Sequence, residues 1–75
     1  MALEDFLVKN NLVRLRAGLR WPQWKLALAS SINVSRMSLL EQGAPPRPNE
    51  IEKLTNLFDV DSAKIWPDLG EEVGG

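Results

Sequence analysis

The chain has 75 residues, with no cysteine and no histidine. That length makes one domain, which buries only a little over ~60% of its unfolded surface. The composition excludes a disulfide framework and a cysteine- or histidine-ligated zinc site as a staple for so small a core, and no apolar run approaches the ~18 residues of a membrane span. The first residues, Met1-Ala2-Leu3-Glu4-Asp5, start acidic and lack the basic-then-apolar signal pattern, so a cytoplasmic protein is expected.

A net charge of −1 and a pI near 5.3 argue at face value against nucleic acid. The distribution argues the other way. Seven of the nine bases (Lys9, Arg14, Arg16, Arg20, Lys25, Arg36, Arg47) lie between positions 9 and 47, with Glu41 the one acid there. Positions 48–75 hold seven acids and two bases. The molecule is dipolar, and its basic part suits a polyanion.

In chain order, residues 1–9 form an N-terminal extension in which Leu3, Phe6 and Leu7 share one helical face. An extra helical turn, an arm and a dimer contact are all open to it. Asn10 or Asn11 then caps a first helix from Leu12 to about Arg20, with Leu12, Leu15 and Leu19 as its core stripe. Arg16 falls beside that stripe, an unusual place for a lone arginine.

Trp21-Pro22-Gln23 opens the second helix, with proline suited to its first position. Leu26, Ala27 and Ser30 face inward, while Trp24 and Lys25 are exposed. Trp24 has three readings: an indole donor to phosphate, a dimer contact, or a cover for Leu28. Ser31-Ile32-Asn33 breaks the helix, Ile32 plugs the corner, and Asn33 caps a third helix from Val34 to about Gln42. Gly43 supplies the left-handed residue that ends it. Met37 and Leu40 face the core. Val34, Ser35, Ser38 and Leu39 share the opposite face, which is small and uncharged. A helix bound for a major groove needs short side chains, hydroxyls for base edges and methyls for thymine. The competing reading is a core helix buried on both sides.

Arg36 lies just past the first turn of this helix and is expected at a phosphate or base edge. Gly43-Ala44-Pro45-Pro46-Arg47-Pro48 is a connector stiffened by three prolines, which places Arg47 for a phosphate. The fourth helix begins at Pro48 and Asn49 and runs to about Phe58; Ile51, Leu54, Leu57 and Phe58 are its core face, and Glu50, Glu52 and Lys53 are solvated. Asp61 caps a short fifth helix ending near Trp66, and Pro67 stops it. Ile65, Trp66 and Leu69 close the bottom of the core or form a dimer patch. Residues 70–75 read as a disordered tail.

Catalytic chemistry is not expected. There is no His, Cys or Tyr, the five glycines are scattered, and the neighbouring acids Glu50/Glu52 and Glu71/Glu72 lie on an exposed face and a tail. No cofactor or metal is expected either.

Residues 10 to 66 resemble the Cro/repressor-type helix-turn-helix domain (the XRE family). The matching residues are Asn10, Leu15-Arg16, Gln23, Leu26-Ala27, Ile32, Asn33, Met37-Ser38 and Leu40-Glu41-Gln42-Gly43, continued by Arg47-Pro48, Leu54, Phe58, Val60 and Ile65. The resemblance implies an all-α, compact five-helix bundle of the lambda-repressor-like type, with the helix-turn-helix at about 23–42 in a domain spanning 10–69. It implies a structural ion pair between Arg16 and Glu41, and a phosphate contact by Gln23 at the start of the second helix, where free amides favour an anion. The family more often has glycine, an aliphatic residue and a hydroxyl cap where this chain has Arg20, Trp21 and Pro22. Trp21 then fills the aliphatic slot, and the hydroxyl cap is lost.

The function expected is sequence-specific binding of double-stranded DNA by a small repressor or activator. Val34, Ser35, Ser38 and Leu39 read bases, while Asn10, Gln23, Lys25, Arg36 and Arg47 hold phosphates. A homodimer on an inverted repeat is expected, its half-sites about one turn (~10 bp) apart. The alternative is a protein-binding helix-turn-helix module, an antitoxin or co-regulator, meeting a partner through Val34, Leu39 and Trp24. The acidic C-terminal third and an exposed Trp66 favour that alternative.

Overall fold

The computed structural model describes residues 7–69. They form five α-helices and no strand: α1 Leu12–Gly18, α2 Gln23–Ser30, α3 Val34–Gln42, α4 Pro48–Phe58 and α5 Ser62–Ile65. This is the expected all-α bundle. Its core is Leu12, Leu26, Ala27, Ile32, Met37, Leu40, Leu54, Ile65 and Trp66. Among the described residues, no helix is long and apolar enough to cross a membrane.

The start of α1 is sewn to the ends of two other helices. Asn10 Oδ1 accepts from the Leu12 amide at 3.0 Å, and its Nδ2 donates to the Leu40 carbonyl at 2.8 Å. Asn11 Nδ2 donates to the Lys64 carbonyl at 2.9 Å, and its backbone amide to that of Ile65 at 2.8 Å. The Leu40 carbonyl, which already accepts from the Gly43 amide, thus gains a second donor, and the last carbonyls of α5 gain partners. The helix ends two residues earlier than expected. Arg20 is left-handed at φ 59°, and Leu19 and Arg20 close the last turn with bonds to Arg16 and Ala17. Leu19 is consequently 46% exposed, so the core stripe of α1 is Leu12 and Leu15 alone.

Pro22 stands before α2 rather than at its first position, with an extended ψ of 161° and no side-chain cap on the helix. Trp21 packs against the core as expected of the aliphatic slot. Ser30 is buried and returns its hydroxyl to the Leu26 carbonyl at 2.8 Å. A left-handed Ser31 then turns the chain, Ile32 enters the core, and Asn33 Oδ1 accepts from the Ser35 amide at 2.8 Å to cap α3. Met37 and Leu40 are fully buried.

Gly43 ends α3 at φ 117°, and a Cβ placed there would lie 3.1 Å from Leu7 Cβ. Both conditions call for glycine. Residues 7–9 are not helical, which corrects the helical face expected of Leu3, Phe6 and Leu7 as far as it falls on described residues. Val8 packs against the core, and its amide donates to the Gly43 carbonyl at 2.6 Å. Leu3 and Phe6, and the 70–75 tail, lie outside the described residues.

In α4, Leu54 is buried and Ile51, Leu57 and Phe58 pack on the core. Ile65 and Trp66 are both 0% exposed, and Leu69 packs beside them. Of the two roles open to this cluster, the structure takes the core. The exposed Trp66 that favoured a protein partner is thereby corrected.

Left-handed backbone costs an L-residue about 1 kcal/mol, part of which glycine gives back as unfolded-chain entropy. Arg20→Gly is therefore expected to raise the free energy of unfolding by about 0.5 kcal/mol, and Gly43→Ala to lower it by about 2 kcal/mol through strain and the Leu7 contact. Urea titrations of the three proteins check both signs.

Candidate nucleic-acid interface

Helix α3 carries two charged residues, and both are taken up by the protein. Glu41 accepts a forked pair of bonds from Arg16 of α1, Nε to Oε2 at 2.7 Å and Nη2 to Oε1 at 3.1 Å. Gln23 Nε2 adds a third at 2.9 Å, and Arg16 Nη1 donates to the Trp21 carbonyl at 3.0 Å. The side chains of Arg16 and Glu41 retain 20% and 6% exposure. One carboxylate thus gathers α1, α3 and the start of α2, as the expected Arg16–Glu41 pair requires.

Arg36 makes the matching contact on the other side. Its Nε and Nη2 donate to Glu50 Oε2 and Oε1 at 2.7 and 2.9 Å, and Nη2 also reaches the Pro45 carbonyl at 2.9 Å. This corrects two expectations. Arg36 does not stand free for a phosphate or base edge, and Glu50 is not solvated but 4% exposed. Burial of the Glu50 carboxylate demands a partner, and the nearest cation is on α3. Glu50 also accepts from the Arg47 amide at 2.8 Å, closing the first turn of α4. The Arg36 hydrogen bond holds the Glu50 carboxyl below its ordinary value against the opposing effect of burial, and Glu50 in turn raises Arg36.

What α3 shows outward carries no formal charge. Val34 and Leu39 are 46% and 51% exposed, Ser35 is exposed and Ser38 half-buried. This excludes the reading of a helix buried on both sides. Gln42 continues the face, and its Nε2 donates to Ser38 Oγ at 3.1 Å.

The expected phosphate ligands divide. Arg47 is exposed where the chain enters α4 and forms no ion pair among the described residues. Lys25 is exposed with its Nζ 5.1 Å from the centre of the Trp21 ring, a cation–π contact that orients it. Gln23 is committed to Glu41 through one amide hydrogen, and its second remains to donate. Asn10 spends both side-chain groups inside the fold and leaves the phosphate set. Trp24 does not cover Leu28: the two are 60% and 73% exposed, four residues apart on the outer side of α2. Among the described residues, no group of three or more His, Cys, Asp or Glu could hold a metal ion.

Sequence reasoning misplaced one residue here and gave another no role. Glu50 is the third residue of α4, where a glutamate commonly reaches back to the helix start. Gln42 lies four residues from Ser38, the spacing at which helical side chains meet. No family model matches this chain, and no curated protein or solved structure matches it either.

Glu41→Ala leaves Arg16 and Gln23 without their acceptor and is expected to cost about 2–3 kcal/mol, less than a fully buried pair because Arg16 stays partly wet. The double variant Arg16→Met/Glu41→Leu should recover most of that loss, as a denaturant cycle over the four proteins would show. For Glu50, the folded value lies below the unfolded one. Its stabilising contribution is therefore complete above the ordinary glutamate range and fades as pH falls through the lowered value. Urea midpoints measured from neutral pH downward should fall more steeply in the native protein than in Glu50→Gln.

Proposed function

We propose that this chain binds double-stranded DNA sequence-specifically, laying α3 in the major groove, and serves as a small cytoplasmic transcriptional regulator of the Cro/repressor type. The observation that carries the reading is the outward face of α3. Arg36 and Glu41 are drawn inward by Glu50 and Arg16, and Val34, Ser35, Ser38, Leu39 and Gln42 are left facing out. Such a face meets base edges with methyls and hydroxyls and repels no phosphate.

Phosphates on either side are held by Arg47 at one end, and at the other by Lys25, Gln23 and the free amides of the first turn of α2. Binding, rather than catalysis, is the activity proposed. One unit of this size covers few base pairs, so the working form is a two-fold dimer on an inverted repeat with half-sites about one helical turn (~10 bp) apart.

The test is selection from a random duplex library followed by sequencing of the bound pool. An enriched inverted repeat supports the reading, and absence of enrichment with only weak, salt-labile binding overturns it. A second reading, a protein-docking module, is favoured by the exposed apolar side chains of Val34 and Leu39 together with Trp24. Affinity for DNA falls linearly in log salt, whereas an apolar protein contact is nearly indifferent to it.

Arg47→Ala is expected to weaken binding to all sequences alike and to reduce the slope of log affinity on log salt by about 0.9. Ser35→Ala should instead alter which sequences are enriched while leaving that slope unchanged. Gel-shift titrations at three salt concentrations separate the two behaviours.

A further inference from the structure

Ser38 has a neighbour that decides how it can read a base. Gln42 Nε2 donates to Ser38 Oγ at 3.1 Å, from one helical turn further along the same outward face. A serine hydroxyl has one proton to give and two lone pairs to offer. In a helix that proton commonly returns to the carbonyl four residues back, as Ser30 does to Leu26. Ser38 makes no such bond among the described residues. One of its lone pairs is filled by Gln42, and its proton is uncommitted among the described residues.

We infer that Gln42 is a positioning residue that sets Ser38 as a hydrogen-bond donor toward DNA, and so fixes its base preference. This rests on the DNA-binding reading proposed above. A donor set in this way pairs with guanine O6 or N7, thymine O4 or adenine N7, and discriminates against cytosine, whose groove edge offers only an amino donor. Taken alone, a serine discriminates poorly because its hydroxyl can turn either way. While Gln42 donates to it through Nε2, the hydroxyl keeps its proton for another acceptor. The chemistry also predicts an inversion. A glutamate at position 42 offers acceptors only, so Ser38 must give it the proton and turn its lone pairs to the base. Adenine N6 and cytosine N4 then become the favoured partners.

The experiment is library selection run in parallel on the native chain and on the Ser38→Ala, Gln42→Ala and Gln42→Glu variants. Ser38→Ala identifies the position that Ser38 reads, as the one where preference is lost. At that position the native chain should favour guanine or thymine over cytosine by about fivefold, the worth of one net hydrogen bond. Gln42→Ala should flatten that preference, and Gln42→Glu should admit cytosine while lowering overall affinity. A change in helix stability alone would weaken all sequences together and leave the base ratios intact. If both Gln42 variants keep the native base preference there, the inference is overturned while DNA binding stands. If the native chain enriches no sequence, the DNA-binding reading itself fails and takes the inference with it.

Discussion

The fold turns on the carboxylate of Glu41. It sits at 6% exposure and is held by the fork of Arg16 and the amide of Gln23. A charge so placed is tolerable only while its partners remain, because its hydration has been given up. Three elements are therefore fixed relative to one another by a directional contact rather than by apolar packing alone. Apolar packing of Leu12, Leu26, Met37 and Leu40 supplies the bulk of the stability. The polar cluster supplies the angle at which α3 stands out from the bundle.

The Arg36–Glu50 pair does the same on the opposite flank, gripping α4 and the Pro45 carbonyl together. Between the two pairs, α3 is held at both of its charged residues. The stiff connector 43–48 adds to this, since its prolines leave it few alternatives. Side-chain contacts from α1, α2 and α4 thus fix the orientation of α3.

The parts of this arrangement that were legible in the sequence are those governed by neighbours within a turn. Asn33 as cap, Gly43 as terminator, the inward Met37 and Leu40, and the α4 face from Ile51 to Phe58 all follow from local spacing. The Arg16–Glu41 pair spans 25 positions and came from family likeness rather than from spacing. What escaped was tertiary. Arg36 finds Glu50 only because the connector brings the first turn of α4 beside it, and nothing in either segment announces the pairing. Leu19 fits the stripe of α1 by number, but the chain leaves the helix at Gly18 and carries it away. Asn10 looked free for a ligand because its partner, the Leu40 carbonyl, is thirty positions distant. The outward face of α3 was easier to anticipate than the fates of Asn10 and Arg36, because it lies on one helix and follows from its period alone.

The seam at Asn10 and Asn11 has a consequence for how the molecule is made. The amide of Asn11 is joined to the Ile65 carbonyl, and Leu12, Ile65 and Trp66 share one core. The first helix and the last thus complete each other across nearly the whole length of the chain. Seven residues long, α1 is too short to persist alone in water. The domain accordingly has no stable N-terminal half. A chain cut before Ile65 loses the acceptor of the Asn11 amide and two of the side chains that share the core with Leu12.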